Sequence, residues 1–244
     1  MIIAILAGRK GSKGFPGKNM HMVSGHPLSY YPLKAATDCS LIDKVYLTTD
    51  DDKLIKLGEE HGAVIIKRPA YLCSDKASSS DVYVHAYDIA NAQHKDKKID
   101  IIVILMCNAP CISTYTLERG IKILRRNPGY DSCVTVSKYN MWSPLRARCI
   151  GRDGLLHPFA PFKAFGDVKK LTSDRDSQGD VWFADMGASI IRPKCLKNID
   201  RGLLPQKWMG QKIYPLRQLG GLDVDFAWQM PQVEYLLRKR NQRD

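Results

Sequence analysis

Glycines and positively charged side chains alternate in the stretch that follows the first apolar run of the chain. Residues 7–19 read AGRKGSKGFPGKN. Glycines let backbone N–H groups turn toward a ligand and approach it closely, and such concave backbone attracts anions. The interleaved Arg and Lys side chains add full positive charges, so the stretch predicts a polyphosphate-binding cradle. The predicted contact residues are Ala7, Gly8, Arg9, Gly11, Ser12, Lys13, Lys18 and, for a base or ribose, Asn19.

The predicted cradle matches neither of two widespread phosphate-binding motifs. A P-loop requires GxxxxGK followed by Ser or Thr, and a dinucleotide-binding turn requires GxGxxG. Neither string occurs in the chain. A flexible basic surface loop is the alternative interpretation. Pro16, which lies between the glycines, stiffens the loop and favours a binding role.

Two carboxylates lie one residue apart late in the sequence, at Asp223 and Asp225. In extended backbone, side chains two positions apart point the same way, and neighbouring carboxylates repel unless a cation neutralises them. Mg²⁺ prefers such hard oxygen ligands and completes its shell with phosphate oxygens. A DxD sequence is also common as a helix cap, so the pair alone leaves both interpretations open. Together with a polyphosphate cradle, the pair predicts a Mg²⁺ site.

Strand-like and helix-like segments alternate from the start of the chain to residue 137, the pattern of a doubly wound, mostly parallel sheet. The predicted strands span residues 2–6, 44–49, 63–66, 100–106 and 132–136. The predicted helices span residues 27–39, 50–61, 82–92 and 114–126. Further on, the pattern predicts a strand at 188–192 and a last helix at 225–240, which Pro231 either kinks or starts. The expected fold class is α/β, in a single domain over residues 1–244.

Polar residues directly after predicted strands are candidates for binding, because ligands of open α/β sheets lie beyond the carboxyl ends of the strands. The most hydrophobic predicted strand, 100–106, runs into Asn108. This amide is therefore a candidate for contacting the base or the sugar of a ligand. The acidic run at 50–52 also follows a strand. It is interpreted as a helix cap that complements the helix dipole, in preference to a metal site.

Charge and cysteine content narrow the class of partner. The chain has 244 residues, with 37 Lys and Arg against 25 Asp and Glu, a net charge of +12. This charge suits anionic ligands, either nucleotides and acidic sugars or nucleic acid, and the basic tail is interpreted as solvated surface. Seven cysteines without a CxxC pair predict reduced thiols, and no apolar stretch suits a signal peptide or a membrane span. We therefore expect a cytoplasmic protein without nucleic-acid or membrane partners.

The cradle stretch AGRKGSKGFPGKN resembles the opening motif of the cytidylyltransferases that activate sialic acid and related nonulosonic acids, the CMP-sialic acid synthetases. The acidic pair resembles the DID or DVD of that family, and the motifs occur in the same order. The resemblance implies that the cradle holds the triphosphate of CTP and that Arg68 and Ser79 lie near the cytidine. One motif departs from the family. Where the family usually has LQPTSPLR, this chain has LMCNAPCI, which leaves Asn108 as the candidate there.

Residues 138–186 mix prolines, aromatic residues and charges without clear periodicity, and so long a loop in a compact domain suggests function. The resemblance implies a Rossmann-like nucleotidyltransferase fold in which this segment is an inserted arm. In the family the arm packs on a second subunit and helps to form the sugar pocket, which implies a homodimer. Arg146 resembles the family's basic residue on the sugar carboxylate, which a guanidinium binds through two parallel hydrogen bonds. Arg175 is a looser match to a second arginine.

The implied reaction joins CTP and a nonulosonic acid to give the CMP-sugar and pyrophosphate, by in-line attack of the sugar hydroxyl on the α-phosphate. Arg9 and Lys18 are the implied catalytic cations, while Asp223 and Asp225 hold Mg²⁺, with Asp225 counted as catalytic. Two alternatives stay open. One is a nucleotidyltransferase that uses another base, or another acidic or phosphorylated sugar such as KDO. The other is a basic nucleotide- or nucleic-acid-binding protein without catalysis.

Overall fold

The computed structural model describes residues 1–74, 76–174, 176–177 and 179–241. The strands, in chain order, are β1 (Ile2–Ala7), β2 (Met22–Val23), β3 (His26–Pro27), β4 (Lys44–Thr49), β5 (Val64–Lys67), β6 (Ile101–Met106), β7 (Ser132–Lys138), β8 (Arg148–Ile150), β9 (Leu156–Pro158), β10 (Trp182–Ile191) and β11 (Ile213–Arg217). The α-helices are α1 (Tyr30–Thr37), α2 (Asp52–Glu60), α3 (Ser79–Gln93), α4 (Thr114–Arg126), α5 (Lys194–Lys197) and α6 (Met230–Asn241).

Seven strands form one sheet in the order β11-β7-β10-β6-β1-β4-β5. Neighbouring strands are parallel except at β10, which runs antiparallel to both β6 and β7. The aliphatic side chains of β1 are buried on both faces of the sheet, as a central parallel strand requires. Helices α1, α2 and α4 cover one face, and α3 and α5 cover the other. The predicted α/β class with a doubly wound, mostly parallel sheet is confirmed.

Strand β10 is longer than the sequence pattern predicts. The pattern predicts a strand over 188–192, whereas β10 begins at Trp182 and pairs with β7 in both its halves. The pairing register shifts between Ala184 and Ser189, and Met186 within this irregularity has a φ of 60°. Because a bulge interrupts the alternation of inward and outward side chains, the first half of β10 has no regular pattern in the sequence.

Strand β11 is not among the predicted strands. It lies at the edge of the sheet and pairs with β7 alone. Its central residue is Pro215, which has no amide hydrogen and is tolerated in a sheet mainly at an edge. The same proline argues against a strand when only the sequence is considered, which explains the omission.

The last helix begins later than predicted. The prediction of a helix from Asp225 is wrong, because α6 begins at Met230. Pro231 lies in its first turn, where a proline is tolerated, so the alternative that Pro231 marks the start of the helix is confirmed. The carboxylates of Asp223 and Asp225 therefore lie in irregular backbone ahead of α6.

Residues 139–181, here called the arm segment, leave the sheet between β7 and β10. They contain the two-stranded hairpin β8–β9 and four short 3-10 turns. Every residue of the two hairpin strands is exposed. The predicted arm, 138–186, spans this segment together with the first half of β10. The segment therefore leaves the sheet from β7 and returns to it at the neighbouring strand β10.

Two expectations from composition concern thiols and membranes. All seven cysteines are free thiols, as predicted, and four of them are buried in the fold. Among the described residues, no helix combines the length and the apolarity that crossing a bilayer requires.

Asp131, just ahead of β7, holds together the end of the sheet where β7 begins. Its carboxylate accepts hydrogen bonds from the backbone N–H groups of Gln211 and Lys212, each at 2.9 Å, and pairs with Lys194 Nζ at 2.5 Å. Burial raises the pKa of this carboxyl, but the lysine and the two amides outweigh burial and lower the pKa to about 2.

The carboxylate of Asp131 is expected to stabilise the fold at neutral pH, because its folded-state pKa lies below the unfolded value of about 3.9. We expect Asp131→Asn to lower the free energy of unfolding by about 2 kcal/mol at pH 7. The difference should shrink as the pH falls from about 4 toward about 2, where the wild-type carboxyl also becomes protonated. Urea unfolding of both proteins at neutral and at acid pH measures it. An equal loss at both pH values would contradict the assignment.

Candidate active site

A cavity of about 420 Å³ opens at the carboxyl ends of β1 and β6. The predicted cradle residues line it, together with the predicted polar residues Arg68, Ser79, Asn108 and Asp225. The full lining comprises Ala7, Gly8, Arg9, Gly11, Ser12, Lys13, Gly14, Lys18, Asn19, Arg68, Ser79, Val82, Tyr83, Met106, Asn108, Asp225 and Phe226.

Two of the predicted site residues that the structure describes, Asp223 and Arg146, are not part of this lining. Asp223 is half-buried and lies two positions before Asp225. Arg146 is exposed on the arm segment, where its guanidinium donates a hydrogen bond to Ser173 O at 3.0 Å. Arg175 lies outside the described residues. The structure thus brings together the residues predicted to bind a nucleotide, and it leaves Arg146 apart from them.

Residues 8–19, here called the cradle loop, are tied down at both ends. The Lys10 N–H donates to Asp50 Oδ1 at 2.9 Å, and Asn19 Nδ2 donates to Arg9 O at 3.2 Å. Gly17 has a φ of 70°, in the left-handed region that glycine adopts without strain. These contacts give the loop a defined conformation, which argues against the alternative of a flexible surface loop.

Gly8 begins the cradle loop in a tightly packed position. A Cβ atom at Gly8 would lie 2.7 Å from Leu54 Cδ1 and 2.8 Å from Cys107 Sγ, so a side chain does not fit. Burial raises the pKa of the Cys107 thiol to about 12. A thiol that stays protonated at neutral pH is a poor nucleophile, and Cys107 therefore serves as packing beneath the loop.

Arg68, which follows β5, is a buried cation on the cavity wall. The residue is 7% exposed, its Nη2 donates to Thr48 O at 2.7 Å, and its Nε has no hydrogen-bond partner among the described residues. Burial lowers the pKa of the guanidinium. A buried donor without an acceptor is unfavourable, so the burial of this guanidinium is costly to the fold, and the rest of the side chain lines the cavity.

Residues 220–226, here called the acidic segment, are held at their middle and far end by hydrogen bonds to Asn108 and to the Gln229 side chain. The Val224 N–H donates to Asn108 O at 2.8 Å, and Asn108 Nδ2 donates back to Val224 O at 2.9 Å. Gln229 Oε1 accepts from the N–H groups of Asp225 and Phe226, at 2.7 and 2.8 Å. Asn108 therefore anchors the acidic segment, and its predicted contact with a base or sugar stays a prediction.

The cradle loop and the acidic segment meet across the cavity. Lys18 Nζ lies 2.6 Å from Asp225 Oδ1 in an ion pair that joins residues 207 positions apart. A Cβ atom at Gly14 would lie 2.6 Å from Asp225 O and 3.1 Å from the Phe226 ring. The approach of the two segments therefore requires glycine at position 14.

Asp223 and Asp225 place two negative charges close together. Burial is the main cause that raises the pKa of Asp223, and the neighbouring Asp225 carboxylate raises it further. In the described part of the chain, no group of three or more His, Cys, Asp or Glu side chains has a geometry suited to a metal ion. Asp223 and Asp225 offer two carboxylates. This number fits Mg²⁺, because the ion commonly takes one or two carboxylates and completes its shell with phosphate and water.

Asp50 and Phe226 are among the contributors to the site that sequence reasoning missed. Within the acidic run at 50–52, Asp51 caps α2 by accepting from the Lys53 N–H at 2.9 Å, as predicted. Asp50 instead holds the cradle loop, a contact 40 positions away that leaves no local signal. Phe226 lines the cavity and packs over Gly14. Its position directly after the acidic pair was the available sign of a role in the site.

The sheet order and the cavity define the class of protein, an α/β domain with the cytidylyltransferase fold. A solved structure of CMP:2-keto-3-deoxy-manno-octonic acid synthetase complexed with CTP matches with a TM-score of 0.65 at 16% identity, over 98% of this chain and 99% of that chain. A 4-diphosphocytidyl-2C-methyl-D-erythritol synthase from Anaerococcus prevotii matches with a TM-score of 0.61 at 12% identity, over 97% and 96% of the two chains.

The chain belongs to the cytidylyltransferase family, whose model matches residues 3–145. An N-acylneuraminate cytidylyltransferase from Oncorhynchus mykiss is 24% identical over 237 residues, 96% of this chain and 50% of the relative. One from Escherichia coli is 31% identical over 139 residues, 57% of this chain and 32% of the relative. A Helicobacter pylori protein named as a pseudaminic acid cytidylyltransferase and a hydrolase is 28% identical over 146 residues, 59% and 27% of the two chains. The chain thus spans half or less of the length of these curated relatives.

Proposed function

We propose that this protein is a cytidylyltransferase that transfers CMP from CTP to a nonulosonic acid, a sugar acid of the sialic acid type. The observation that carries the proposal is the meeting of the cradle loop and the acidic segment across one cavity, where Lys18 pairs with Asp225. Phosphate-binding cations and hard oxygen donors can then act on the same triphosphate. Family membership and the relatives named as N-acylneuraminate and pseudaminic acid cytidylyltransferases support the choice of nucleotide and sugar class.

The proposed reaction is an in-line displacement at the α-phosphorus of CTP. The anomeric hydroxyl oxygen forms the new P–O bond, the bond to the β-phosphate oxygen breaks, the hydroxyl proton passes to solvent, and pyrophosphate leaves. Catalysis of such a transfer is mainly positioning and charge stabilisation. N–H groups of the cradle loop, with Lys13, hold the phosphates, while Arg9 and Lys18 stabilise charge on the α-phosphate and the leaving group.

Mg²⁺ is the proposed cofactor, with Asp223 and Asp225 as its ligands. The ion pair between Asp225 and the Lys18 ammonium supports this, because it places a positive charge beside this carboxylate at the cavity wall. The raised pKa of Asp223, caused by burial and by Asp225, marks a pair whose repulsion a divalent cation would relieve. When bound, the ion polarises the phosphate and lowers the pKa of the attacking hydroxyl.

Arg68 is the proposed reader of the cytosine base. A guanidinium presents several donors in a rigid fork and no acceptor, and cytosine offers the neighbouring acceptors O2 and N3. The place of Arg68 on the cavity wall supports this contact. Ser79 and Asn19 line the same cavity and are proposed to contact the base or the ribose.

Sugar recognition is proposed to require a second copy of the chain. Arg146 suits a carboxylate, as does Arg175, but Arg146 lies on the arm segment and outside the cavity lining. The arm segment exposes apolar side chains at Ile150, Leu156 and Phe159, each more than 70% exposed. Such surface is typical of a protein interface. In the proposed homodimer, the arm segment covers the cavity of the partner and brings Arg146 to the sugar.

A charge placed in the arm hairpin should separate the proposed dimer. We expect Leu156→Asp to convert the protein from dimer to monomer, because a carboxylate would be buried against apolar surface, and to lower turnover with the sugar acid. Sedimentation velocity and pyrophosphate release measure the two effects. Arg152→Ser, in the exposed turn of the same hairpin, is the matched control. Sedimentation of the wild-type protein as a monomer would refute the dimer.

The proposed function is tested by pyrophosphate release with each of the four ribonucleoside triphosphates, Mg²⁺ and a panel of sialic, legionaminic and pseudaminic acids and KDO. We expect release only when CTP and one nonulosonic acid are both present. Release with another triphosphate would keep the fold and overturn the choice of base. Absence of release with every pair would overturn the proposed function.

KDO, an acidic sugar of a different type, is the second candidate acceptor. The observation that favours it lies around Asn108, where the segment lacks the glutamine and arginine of the nonulosonic acid enzymes. The Asn108 amide nitrogen already donates to Val224 O, so Asn108 does not simply replace the missing glutamine as a donor to the ligand. Release with KDO and with none of the other acids would select this candidate.

The proposed location is the reducing cytoplasm, for either acceptor. All seven cysteines are free thiols, which supports this location.

A further inference from the structure

Asp185 is a buried carboxylate in the irregular part of β10. The residue is 4% exposed, and the next residue, Met186, has a φ of 60°, a conformation that is uncommon for a side chain of this size. The bulge is completed by Thr135, whose Oγ1 donates to Ala188 O at 3.2 Å and accepts from the Ala188 N–H at 2.9 Å. A strained residue beside a buried charge is a feature that folds retain mainly at functional sites.

The described partners of the Asp185 carboxylate are neutral donors. Ser137 Oγ donates to Asp185 Oδ2 at 2.5 Å, Gln218 Nε2 donates to the same oxygen at 2.9 Å, and the Gly187 N–H donates to Oδ1 at 3.1 Å. None of the described ion pairs includes this carboxylate. Three donors therefore satisfy this buried carboxylate and fix its orientation without a cation.

The same group of side chains grips the start of the acidic segment. The Gly221 N–H donates to Ser137 Oγ at 2.8 Å, and the Tyr139 hydroxyl donates to Gly221 O at 2.9 Å. A Cβ atom at Gly221 would lie 2.5 Å from both Asp185 Oδ2 and Gln218 Nε2. Ser137 therefore orients its hydroxyl between the carboxylate and the segment, donating to one and accepting from the other.

The grip at Gly221 completes the support of the two carboxylates. Asn108 holds Val224, and Gln229 holds Asp225, so the segment is fixed in its middle and at its far end. Gly221 is the fixed point on the near side, two positions before Asp223. Without the hydrogen bonds at Gly221, the backbone of Asp223 would be fixed mainly through its neighbour Val224.

We propose that Asp185 is a positioning residue for the transfer reaction: acting through Ser137 and Gln218, it fixes the acidic segment so that Asp223 and Asp225 face the nucleotide. The inference rests on the proposed function for its effect on turnover. Tyr139 is the first residue of the arm segment, so the same grip connects the base of the arm to the acidic segment. Asp185 itself does not line the cavity, and it acts on the carboxylates through the backbone.

The experiment compares Asp185→Ala, Asp185→Asn and Ser137→Ala with the wild-type protein. For Asp185→Ala we expect a turnover number lower by about 10- to 100-fold, as for loss of a residue that orients a ligand group, with a KM for CTP within about twofold. Asp185→Asn keeps an oxygen acceptor and should recover most of the turnover. Ser137→Ala should resemble Asp185→Ala, and the double variant should be no worse than either, because both changes break one connection.

Two readouts do not depend on turnover. Amide hydrogen exchange in the peptide that spans residues 219–226 should become faster in Asp185→Ala and Ser137→Ala and stay near the wild-type rate in Asp185→Asn. The dissociation constant for CTP without divalent cation should stay within about twofold, since the cradle loop is anchored elsewhere. If the wild-type protein turns over no pair of substrates, the proposed function fails, and exchange at 219–226 still decides the role of Asp185.

Asp131→Asn is the matched control, because Asp131 also organises a loop through backbone N–H groups but at the opposite end of β7. It should lower thermal stability without changing turnover or exchange at 219–226. If Asp185→Ala lowers stability and leaves turnover and exchange unchanged, its role is structural and the inference is overturned. An equal loss of CTP affinity and turnover would also overturn it, since that result indicates general distortion of the cavity.

Discussion

Replacing either carboxylate of the acidic segment by alanine is expected to reduce pyrophosphate release by roughly 10²–10³. Asp223 and Asp225 are the proposed ligands of Mg²⁺, and a single remaining carboxylate would hold the ion weakly. Asp225→Ala should have a second effect, because it also releases Lys18 from the ion pair that holds its ammonium at 2.6 Å. Initial rates at saturating CTP and sugar acid, with Mg²⁺ varied, measure both variants.

The free energy of unfolding of the Asp223 and Asp225 variants distinguishes a loss of catalysis from a loss of the fold. The pKa of Asp223 is raised by burial and by the charge of Asp225, which means that ionisation of this carboxyl is less favourable in the folded chain than in the unfolded chain. Asp223→Asn should therefore unfold no more easily than the wild-type protein at pH 7, although its turnover collapses. Asp200→Ala, which removes a solvent-exposed carboxylate paired with Lys207, is the control for charge. Full turnover in Asp223→Ala and Asp225→Ala would refute the acidic pair as a Mg²⁺ site.

The fold could be predicted where burial on both faces dictates the residue types. β1 and β6 are continuous apolar runs because they lie inside a mostly parallel sheet covered by helices, so each can be located in the sequence from its own residues. β11 could not be predicted in the same way, because its central residue is Pro215, and a proline is more typical of loops than of strands. The first half of β10 is hidden by its bulge, since the alternation that identifies a strand is broken at Met186.

The site was predictable to the extent that its residues are adjacent in sequence. The glycines and cations of the cradle loop lie within one stretch, and the two carboxylates are separated by a single residue, so local spacing indicates their chemistry. Their supports have no such signal. Asp50 meets Lys10 across 40 positions, and Ser137 meets Gly221 across 84. Contacts of this kind depend on which strands become neighbours in the sheet, and the order of strands does not follow from any local pattern.

Arg68→Met is expected to stabilise the ligand-free protein while it destroys recognition of CTP. The guanidinium is buried, burial lowers its pKa, and none of the described ion pairs includes it. Replacing a buried charge by an apolar side chain of similar length should raise the free energy of unfolding by about 1–2 kcal/mol. Thr48 O keeps a partner after the change, because it also accepts from the Gly8 N–H at 3.2 Å.

Loss of the proposed contact to cytosine should raise the KM for CTP by roughly 10²-fold, since a hydrogen bond from a charged donor contributes about 1.5–3 kcal/mol. The preference for CTP over UTP should fall as well, because the base would no longer be read. Arg192→Met is the matched control: that guanidinium donates to three backbone carbonyls, of Leu124, Asn127 and Tyr130, far from the cavity lining. The control should destabilise the protein and leave the KM for CTP unchanged. If Arg68→Met behaves like this control in urea unfolding and in steady-state kinetics, Arg68 is a structural residue and the base is read elsewhere.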